Sequence, residues 1–93
     1  MNAEAMISVV IPHHRDFSAL ALSVQSAVSQ SLQPLEIIIV NDDDESLHSF
    51  QLDQLLVRSE CIRVFETGSC SGGPAQPRNS AIDLACGRYI AFL

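Results

Sequence analysis

The feature that most constrains this chain is a run of consecutive apolar residues, IIIV at positions 37–40. A strand with one wet face alternates polar and apolar side chains, whereas a continuous β-branched run is typical of a strand buried on both faces. Such strands belong to parallel sheets that are covered by helices on both sides. We therefore expect Glu36 to Val40 to form a strand inside an α/β sheet.

Strand and helix segments alternate along the rest of the chain. Strands are predicted at 7–11, 36–40, 62–65 and 89–93, and helices at 17–31, 47–59 and 75–86. Pro12 is expected to end the first strand, because proline cannot donate to a central ladder. Asp16 is a suitable N-cap for the first helix, and Gly87 a suitable C′ residue for the third. The pattern β-α-β-α-β-α-β predicts a parallel sheet covered by helices.

Composition and charge narrow the class of protein. The 93 residues are 47% hydrophobic and 17% charged, which is typical of one small globular domain. The net charge is −6, with five arginines and no lysine, so the chain lacks the basic face that nucleic-acid binding requires.

The sequence also gives expectations about location and cysteine chemistry. The apolar runs fall short of a membrane span, and MNAEAM lacks the basic start of a signal peptide. We expect a cytoplasmic protein, with any membrane association supplied by sequence outside this chain. Cys61, Cys70 and Cys86 form no CxxC pair, so we expect reduced thiols and no zinc site, with Cys61 and Cys86 in the core.

Three loops are candidates for function, because ligands of parallel sheets bind beyond the carboxyl ends of the strands. These loops span residues 13–16, 41–45 and 67–79. In the second, Asp42 could accept a hydrogen bond from a ribose hydroxyl or a pyrimidine imide, or it could lie in a solvated turn. For Asp43 to Glu45 a solvated turn is favoured, with Asp44 and Glu45 capping the next helix.

The other two loops contain candidate binding groups: a cation in residues 67–79 and two imidazoles in residues 13–16. The segment SGGPAQPRN delivers Arg78 to the start of a helix, where backbone N–H groups favour anions, although its glycines alone could simply make a turn. His13 and His14 could act as a base, a ligand or a stacking surface, or be solvated, and their spacing gives little support to a metal site. His48 is expected on an exposed helix surface.

Three blocks in this order, ISVVIP, SAVSQSLQPLEIIIVNDD and GGPAQPRNSAIDLACGRYIAFL, resemble the N-terminal half of the family-2 glycosyltransferases, enzymes of the GT-A fold. The resemblance covers residues 7–93 and is weakest at 46–60. It implies a Rossmann-like GT-A half-domain with strand order 3-2-1-4. It also implies transfer of a sugar from a nucleoside-diphosphate sugar, UDP-linked above all, to a hydroxyl of a glycan or lipid-linked acceptor.

The resemblance assigns nucleotide-binding roles to seven residues and no catalytic or metal-ligating role to any. After the first strand the family reads Pro-Thr-Tyr-Asn. Here Pro12 is kept while His13, His14 and Arg15 follow, which places His14 against the base. Asn41 and Asp42 stand at the family's Asp-Asp pair, and Asp42 keeps the role of accepting from the pyrimidine. Arg78, with Asn79 after it, matches the family's Arg-Asn and would reach the base or phosphates.

Two departures from the family pattern bear on donor binding. Asp43 and Asp44 replace the usual Gly-Ser, which is expected to crowd negative charge where a negative donor must bind. Pro77 replaces a small residue before Arg78, in a first turn that tolerates proline.

In the family, the strand matching Tyr89 to Leu93 runs into an Asp-x-Asp motif that holds Mn²⁺ or Mg²⁺ on the diphosphate. We therefore expect residues 1–93 to be the nucleotide-binding part of a longer enzyme, truncated before that motif. The chain should be inactive alone and should self-associate through uncovered surfaces. The alternative reading is a non-catalytic nucleotide-binding or assembly module of the same fold. A receiver-type signalling domain is disfavoured, because it needs a lysine that this chain lacks.

Overall fold

The structure is a computed structural model that describes residues 7–30, 33–68 and 75–93, with side chains from Asn79 onward in the last range. Four strands alternate with three helices along the chain. They are β1 (Ile7–His13), α1 (Phe17–Val28), β2 (Glu36–Asn41), α2 (Ser49–Leu56), β3 (Ile62–Glu66), α3 (Ala75–Leu84) and β4 (Tyr89–Phe92).

All four strands are parallel and form one sheet in the order β3-β2-β1-β4. This confirms the predicted strand order 3-2-1-4. In the register, His13 lies beside Asn41, and Asn41 lies beside Glu66, so the carboxyl ends of three strands meet at one edge. Every residue of β2 is buried, as its uninterrupted apolar run predicts.

Helices cover both faces of the sheet. On one face, alternate residues of β1 and β2 pack against α1 and against Leu55 of α2, with Leu20, Val24 and Ala27 of α1 fully or almost fully buried. On the other face, Val10, Ile38 and Val40 pack against Ala81 of α3. Because side chains alternate along a strand, each position of β1 and β2 is committed to one of these two faces.

The prediction that Pro12 ends β1 is wrong. The strand continues to His13, and Pro12 lies beside Val40 in the register. The carbonyl of Val10 accepts from Leu93 on the β4 side, so Pro12, two residues later, also directs its nitrogen to that side. The pairs of the β1–β4 ladder run from Ile7–Tyr89 to Val10–Phe92, so Pro12 interrupts none of them.

The end of α3 also differs from the prediction. The helix stops at Leu84 rather than Cys86, and Gly87 does not close it. The backbone N–H groups of Cys86 and Gly87 donate instead to the side chains of Glu36 (2.6 Å) and Ser8 (2.8 Å). These two buried acceptors at the amino edge of the sheet therefore take the N–H groups that would otherwise continue the helix. Cys86 is exposed, which corrects its expected place in the core, while Cys61 is half-buried against the core.

Helices α1 and α2 are shorter than predicted. Asp16 caps α1 as expected, accepting from the Ala19 N–H at 3.0 Å, but the helix ends at Val28. Helix α2 begins at Ser49 because the N–H of Leu47 donates to Glu66, which holds Leu47 outside the helix. Its start therefore lies too far along the chain for Asp44 or Glu45 to cap. Exposed His48 takes the N-cap position instead. None of the helices in the described ranges is long and apolar enough to cross a bilayer.

Candidate functional site

Two rows of side chains lie at the carboxyl edge of the sheet, one on each face. His13, Asn41 and Glu66 form the first row, neighbours in the register on the face that α1 and α2 cover. Asp42 and Thr67, the next residues after β2 and β3, form the second row, and His14 contacts this row through the Asp42 carbonyl. Asp42 follows Val40 by two positions and so shares the face that α3 covers.

The first row is a structural network. The amide of Asn41 donates to the Glu66 carboxylate and, at 2.9 Å, to the carbonyl of Glu45. The second oxygen of Glu66 accepts from the Leu47 N–H at 3.2 Å. These bonds hold the segment between β2 and α2 against the end of β3. The side-chain amide of Asn41, a residue predicted to bind nucleotide, therefore directs its described hydrogen bonds to this loop and to Glu66.

His13 is almost fully buried between two clefts at this edge. One cleft, of about 150 Å³, also includes Arg15, Asn41, Asp43 and His48 in its lining. The other, of about 220 Å³, lies against α1 and also includes Pro12 and His14 in its lining. Burial lowers the pKa of His13, and the neighbouring His14 lowers it further, against nearby carboxylates that raise it. A neutral imidazole at pH 7 follows from the sign of this shift.

Asp42 is held in place by three hydrogen bonds. Its N–H donates to the carbonyl of His13 at 2.8 Å, which extends the ladder by one residue. Its carbonyl accepts from the ring Nδ1 of His14 at 2.8 Å. Its carboxylate Oδ1 accepts from the hydroxyl of Thr67 at 3.1 Å. The structure therefore brings two of the predicted residues, His14 and Asp42, into direct contact.

Thr67 is the member of this row that the sequence did not single out. It appeared only as the first residue of a long polar loop. Its N–H donates to the carbonyl of Asn41 at 3.1 Å, so it extends β3 as Asp42 extends β2. The signal was available in the spacing, since Thr67 follows Glu66 as Asp42 follows Asn41. Predicting the contact between Thr67 and Asp42 also required the register between β2 and β3, which the sequence alone does not specify.

Arg15 and Asp43 join the loops that follow β1 and β2. The guanidinium Nε of Arg15 lies 3.0 Å from Oδ2 of Asp43. The hydrogen bond from Arg15 lowers the pKa of the Asp43 carboxyl. The prediction of a solvated turn is wrong for Asp43, which is 7% exposed. Much of the Asp43 charge is balanced by Arg15, so Asp43 does not stand as an uncompensated anion at this edge.

Arg78 lies in the first turn of α3, whose start follows the loop that leaves the carboxyl edge of β3. Its side chain lies outside the described residues, as does the glycine loop before the helix. Its expected reach to the base or phosphates stays a prediction.

Within residues 7–30, 33–68 and 75–93, no group of three or more His, Cys, Asp or Glu side chains could hold a metal ion. The ionic pairing of Asp43 and the burial of Asp42 also leave the acidic run poorly suited to a divalent cation, which needs several converging oxygens. The described residues therefore do not fit Mn²⁺ or Mg²⁺, which the resemblance places at an Asp-x-Asp motif outside this chain.

A parallel sheet with order 3-2-1-4 and polar side chains at its carboxyl edge defines the class of nucleotide-binding α/β proteins. The sequence model of glycosyl transferase family 2 matches residues 8–93. The chain belongs to glycosyl transferase family 2, as the sequence blocks indicated.

Curated relatives are similar over almost the whole chain. A poly(ribitol-phosphate) beta-glucosyltransferase of Bacillus spizizenii is 36% identical over 94% of this chain and 14% of its own length. An Escherichia coli protein, UDP-Glc:alpha-D-GlcNAc-diphosphoundecaprenol beta-1,3-glucosyltransferase WfaP, is 33% identical over 95% of this chain and 34% of its own length. The chain thus spans about a third or less of these two relatives.

Solved structures agree on the fold. A crystal structure of S. aureus TarS superposes on the whole chain with a TM-score of 0.77 at 23% identity, covering 16% of that protein. Residues 1–349 of TarS in complex with UDP give a TM-score of 0.71 at 22% identity, covering 27% of that chain. These structures are GT-A glycosyltransferases, which confirms the predicted fold class.

Proposed function

We propose that the protein transfers a sugar from a UDP-sugar to a hydroxyl of a glycan or lipid-linked acceptor during polysaccharide or glycan biosynthesis. The 93 residues supply the part of the enzyme that holds the nucleoside. The observation that carries this proposal is Asp42, a buried residue at the carboxyl edge whose backbone carbonyl accepts from the His14 ring, in a chain of this family. The relatives named for UDP-glucose and for a ribitol-phosphate polymer support the donor and acceptor classes.

Each proposed role follows from the chemistry of the side chain. The Asp42 carboxylate accepts the imide N–H of uracil, since an ionised carboxylate is purely an acceptor. The His14 ring lies against the base, held in place by its hydrogen bond to the Asp42 carbonyl. Arg78 reaches the diphosphate or the base, because a guanidinium forks onto phosphate oxygens. Pro12, His13, Arg15 and Asn41 are proposed to line the nucleotide site at this edge.

The diphosphate metal, the catalytic base and the acceptor site are proposed to lie outside residues 7–30, 33–68 and 75–93. Mn²⁺ or Mg²⁺ on the diphosphate would be held by an Asp-x-Asp motif in the whole protein. We also propose a cytoplasmic location, which suits the free thiols of Cys61 and Cys86, because reducing compartments keep thiols unpaired.

The test is UDP binding and sugar transfer by the intact protein, with Asp42→Asn compared against Asp44→Asn. Both variants remove one negative charge, but Asp44 is exposed, while Asp42 is buried at the site. We expect Asp42→Asn to weaken UDP binding roughly 10- to 100-fold, the range for a hydrogen bond to a charged group, and Asp44→Asn to leave it within twofold.

The outcome that contradicts the proposal is a protein that binds no nucleoside diphosphate and transfers no sugar from any UDP-, GDP- or dTDP-sugar. Nucleotide binding without transfer by the intact protein would favour the alternative, a non-catalytic binding or assembly module.

A further inference from the structure

We propose that Thr67 is a positioning residue that orients the Asp42 carboxylate for the imide edge of uracil. The inference rests on the proposed function and names a residue that the sequence pattern did not assign. It begins from the hydrogen bond of 3.1 Å between the Thr67 hydroxyl and Oδ1 of Asp42.

The Asp42 carboxylate is the preferred acceptor of the single Thr67 hydroxyl proton. The same hydroxyl lies 3.3 Å from the carbonyl of Asn41, but it has only one proton to donate. The Asp42 oxygen is nearer and ionised, and hydrogen bonds to ionised acceptors are the stronger ones. The proton therefore points at the carboxylate.

The Thr67 donor is itself held rigidly. Its backbone N–H bonds to the Asn41 carbonyl, which locks the residue onto the edge of β2. Its side chain branches at Cβ, so few rotamers are open to it. A fixed donor sets the plane of the carboxylate more narrowly than water would, and Asp42 is only 5% exposed to water.

One bond from Thr67 does not exhaust the carboxylate. Its two oxygens offer about four lone-pair sites. The backbone of Asp42 is tied separately, through its N–H to His13 and its carbonyl to His14. Thr67 thus acts on the direction in which the acceptor sites of the carboxylate point, and that direction decides which base edge is recognised.

Base selectivity is the readout that a merely structural role would not move. Uracil presents an N3–H donor, whereas cytosine presents an N3 lone pair at the same place. A well-aimed carboxylate binds the first and repels the second. The ratio of the dissociation constants for CDP and UDP therefore reports the aim of Asp42. This ratio does not depend on the fraction of protein that is folded.

The experiment measures UDP and CDP binding to the intact protein by calorimetry for wild type, Thr67→Val and Thr67→Ser. Valine keeps the branched shape without the hydroxyl, and serine keeps the hydroxyl. We expect Thr67→Val to lower the CDP/UDP ratio roughly tenfold through weaker UDP binding, as for one hydrogen bond to a charged group. We expect Thr67→Ser to restore the ratio to within twofold.

An unchanged ratio in Thr67→Val, or equal losses for both nucleotides, would overturn the positioning role. If wild type binds UDP and Asp42→Asn weakens it while Thr67→Val does not, the proposed function stands and only the Thr67 proposal falls. If wild type shows no preference for UDP over CDP, both the base assignment of Asp42 and the Thr67 proposal fail together.

Discussion

The guanidinium of Arg15 donates to the carboxylate of Asp43 across the loops that leave β1 and β2. Arg15 also has a φ of +64°, in the left-handed region that asparagine tolerates better than most residues. The family pattern has asparagine at the first of these positions and glycine at the second. Here both positions differ from that pattern, and the two side chains pair with each other.

This pairing predicts a compensation between two substitutions. Arg15→Asn keeps a residue suited to the backbone but leaves Asp43 without its cation. We expect UDP affinity to fall by a modest factor, since partly exposed ion pairs contribute little, and to recover at high salt, which screens the uncompensated charge of Asp43. Adding Asp43→Asn should restore affinity at low salt. Isothermal titration at two salt concentrations measures both effects.

The control for net charge is Arg58→Gln, which removes a cation whose described contact is with Gln25 of α1, away from this edge. A loss of UDP affinity in Arg58→Gln equal to that in Arg15→Asn would mean that overall charge, and not the pair, is responsible.

A second prediction concerns the buried carboxylate of Glu36. It accepts from the Ser8 hydroxyl and the Cys86 N–H and pairs with Arg63. We expect Glu36→Ala to lower the free energy of unfolding by about 1–3 kcal/mol, because it leaves buried donors unsatisfied. Glu36→Gln keeps an acceptor oxygen and should cost less. Urea denaturation of the 93-residue chain compares the two, and equal stability of Glu36→Ala and wild type would contradict the network.

The same group gives a pH dependence with a definite sign. Burial alone would raise the pKa of Glu36, but the bonds from Cys86, Ser8 and Arg63 outweigh burial, and the pKa lies below its ordinary value of 4.5. Its contribution is therefore complete above pH 4.5 and is lost as the pH falls through the lower folded value. Stability curves of wild type and Glu36→Gln should converge on acidification. A difference in stability between the two proteins that grows as the pH falls would contradict the lowered pKa of Glu36.

His13 predicts a separate loss of stability at milder pH. Burial is the main cause that lowers the pKa of this imidazole from 6.5. The unfolded chain then binds the proton first, so stability is complete above pH 6.5 and declines as the pH falls toward the folded pKa. Melting temperatures of wild type should drop across this range, and those of His13→Gln should be flatter. Parallel curves would show that another group titrates.

Self-association of the 93-residue chain is a further prediction. The β4 segment exposes Tyr89, Phe92 and Leu93, and β4 lies at an edge of the described sheet. Such an edge offers unpaired backbone groups and apolar side chains to a second molecule. Light scattering across a concentration series should show oligomers, and Ala91→Lys, at an exposed edge position, should reduce them. A monomer at high concentration would exclude this surface as an association site.

Local patterns were enough to predict the sheet but not the ends of its elements. The apolar run of β2 indicates a buried strand without any knowledge of its neighbours. The end of α3 could not be predicted in this way, because it depends on Glu36 and Ser8, which lie far away in the sequence and accept the N–H groups of Cys86 and Gly87. A glycine at position 87 is a reasonable C′ residue by local criteria, but the distant hydrogen bond to Ser8 prevented that role.

The site shows the same division. Asp42 could be singled out because it follows a strand, and its position needs only the sequence of β2. The pairing of Asp43 with Arg15 and the contact of Asp42 with Thr67 span 28 and 25 residues of sequence. Such contacts follow from register and loop geometry, which a single sequence does not specify.

Pro12 has a consequence for how the sheet opens at this edge. Its nitrogen faces β4 and carries no hydrogen, so the ladder between β1 and β4 cannot be continued through this position. On the other side, β1 stays hydrogen-bonded to β2 as far as the bond from the Asp42 N–H to the His13 carbonyl. At position 12, β1 therefore stays hydrogen-bonded to β2 on one side and forms no backbone bond from its nitrogen to β4 on the other. Replacing Pro12 with a residue that can donate would allow one more backbone hydrogen bond from β1 toward β4.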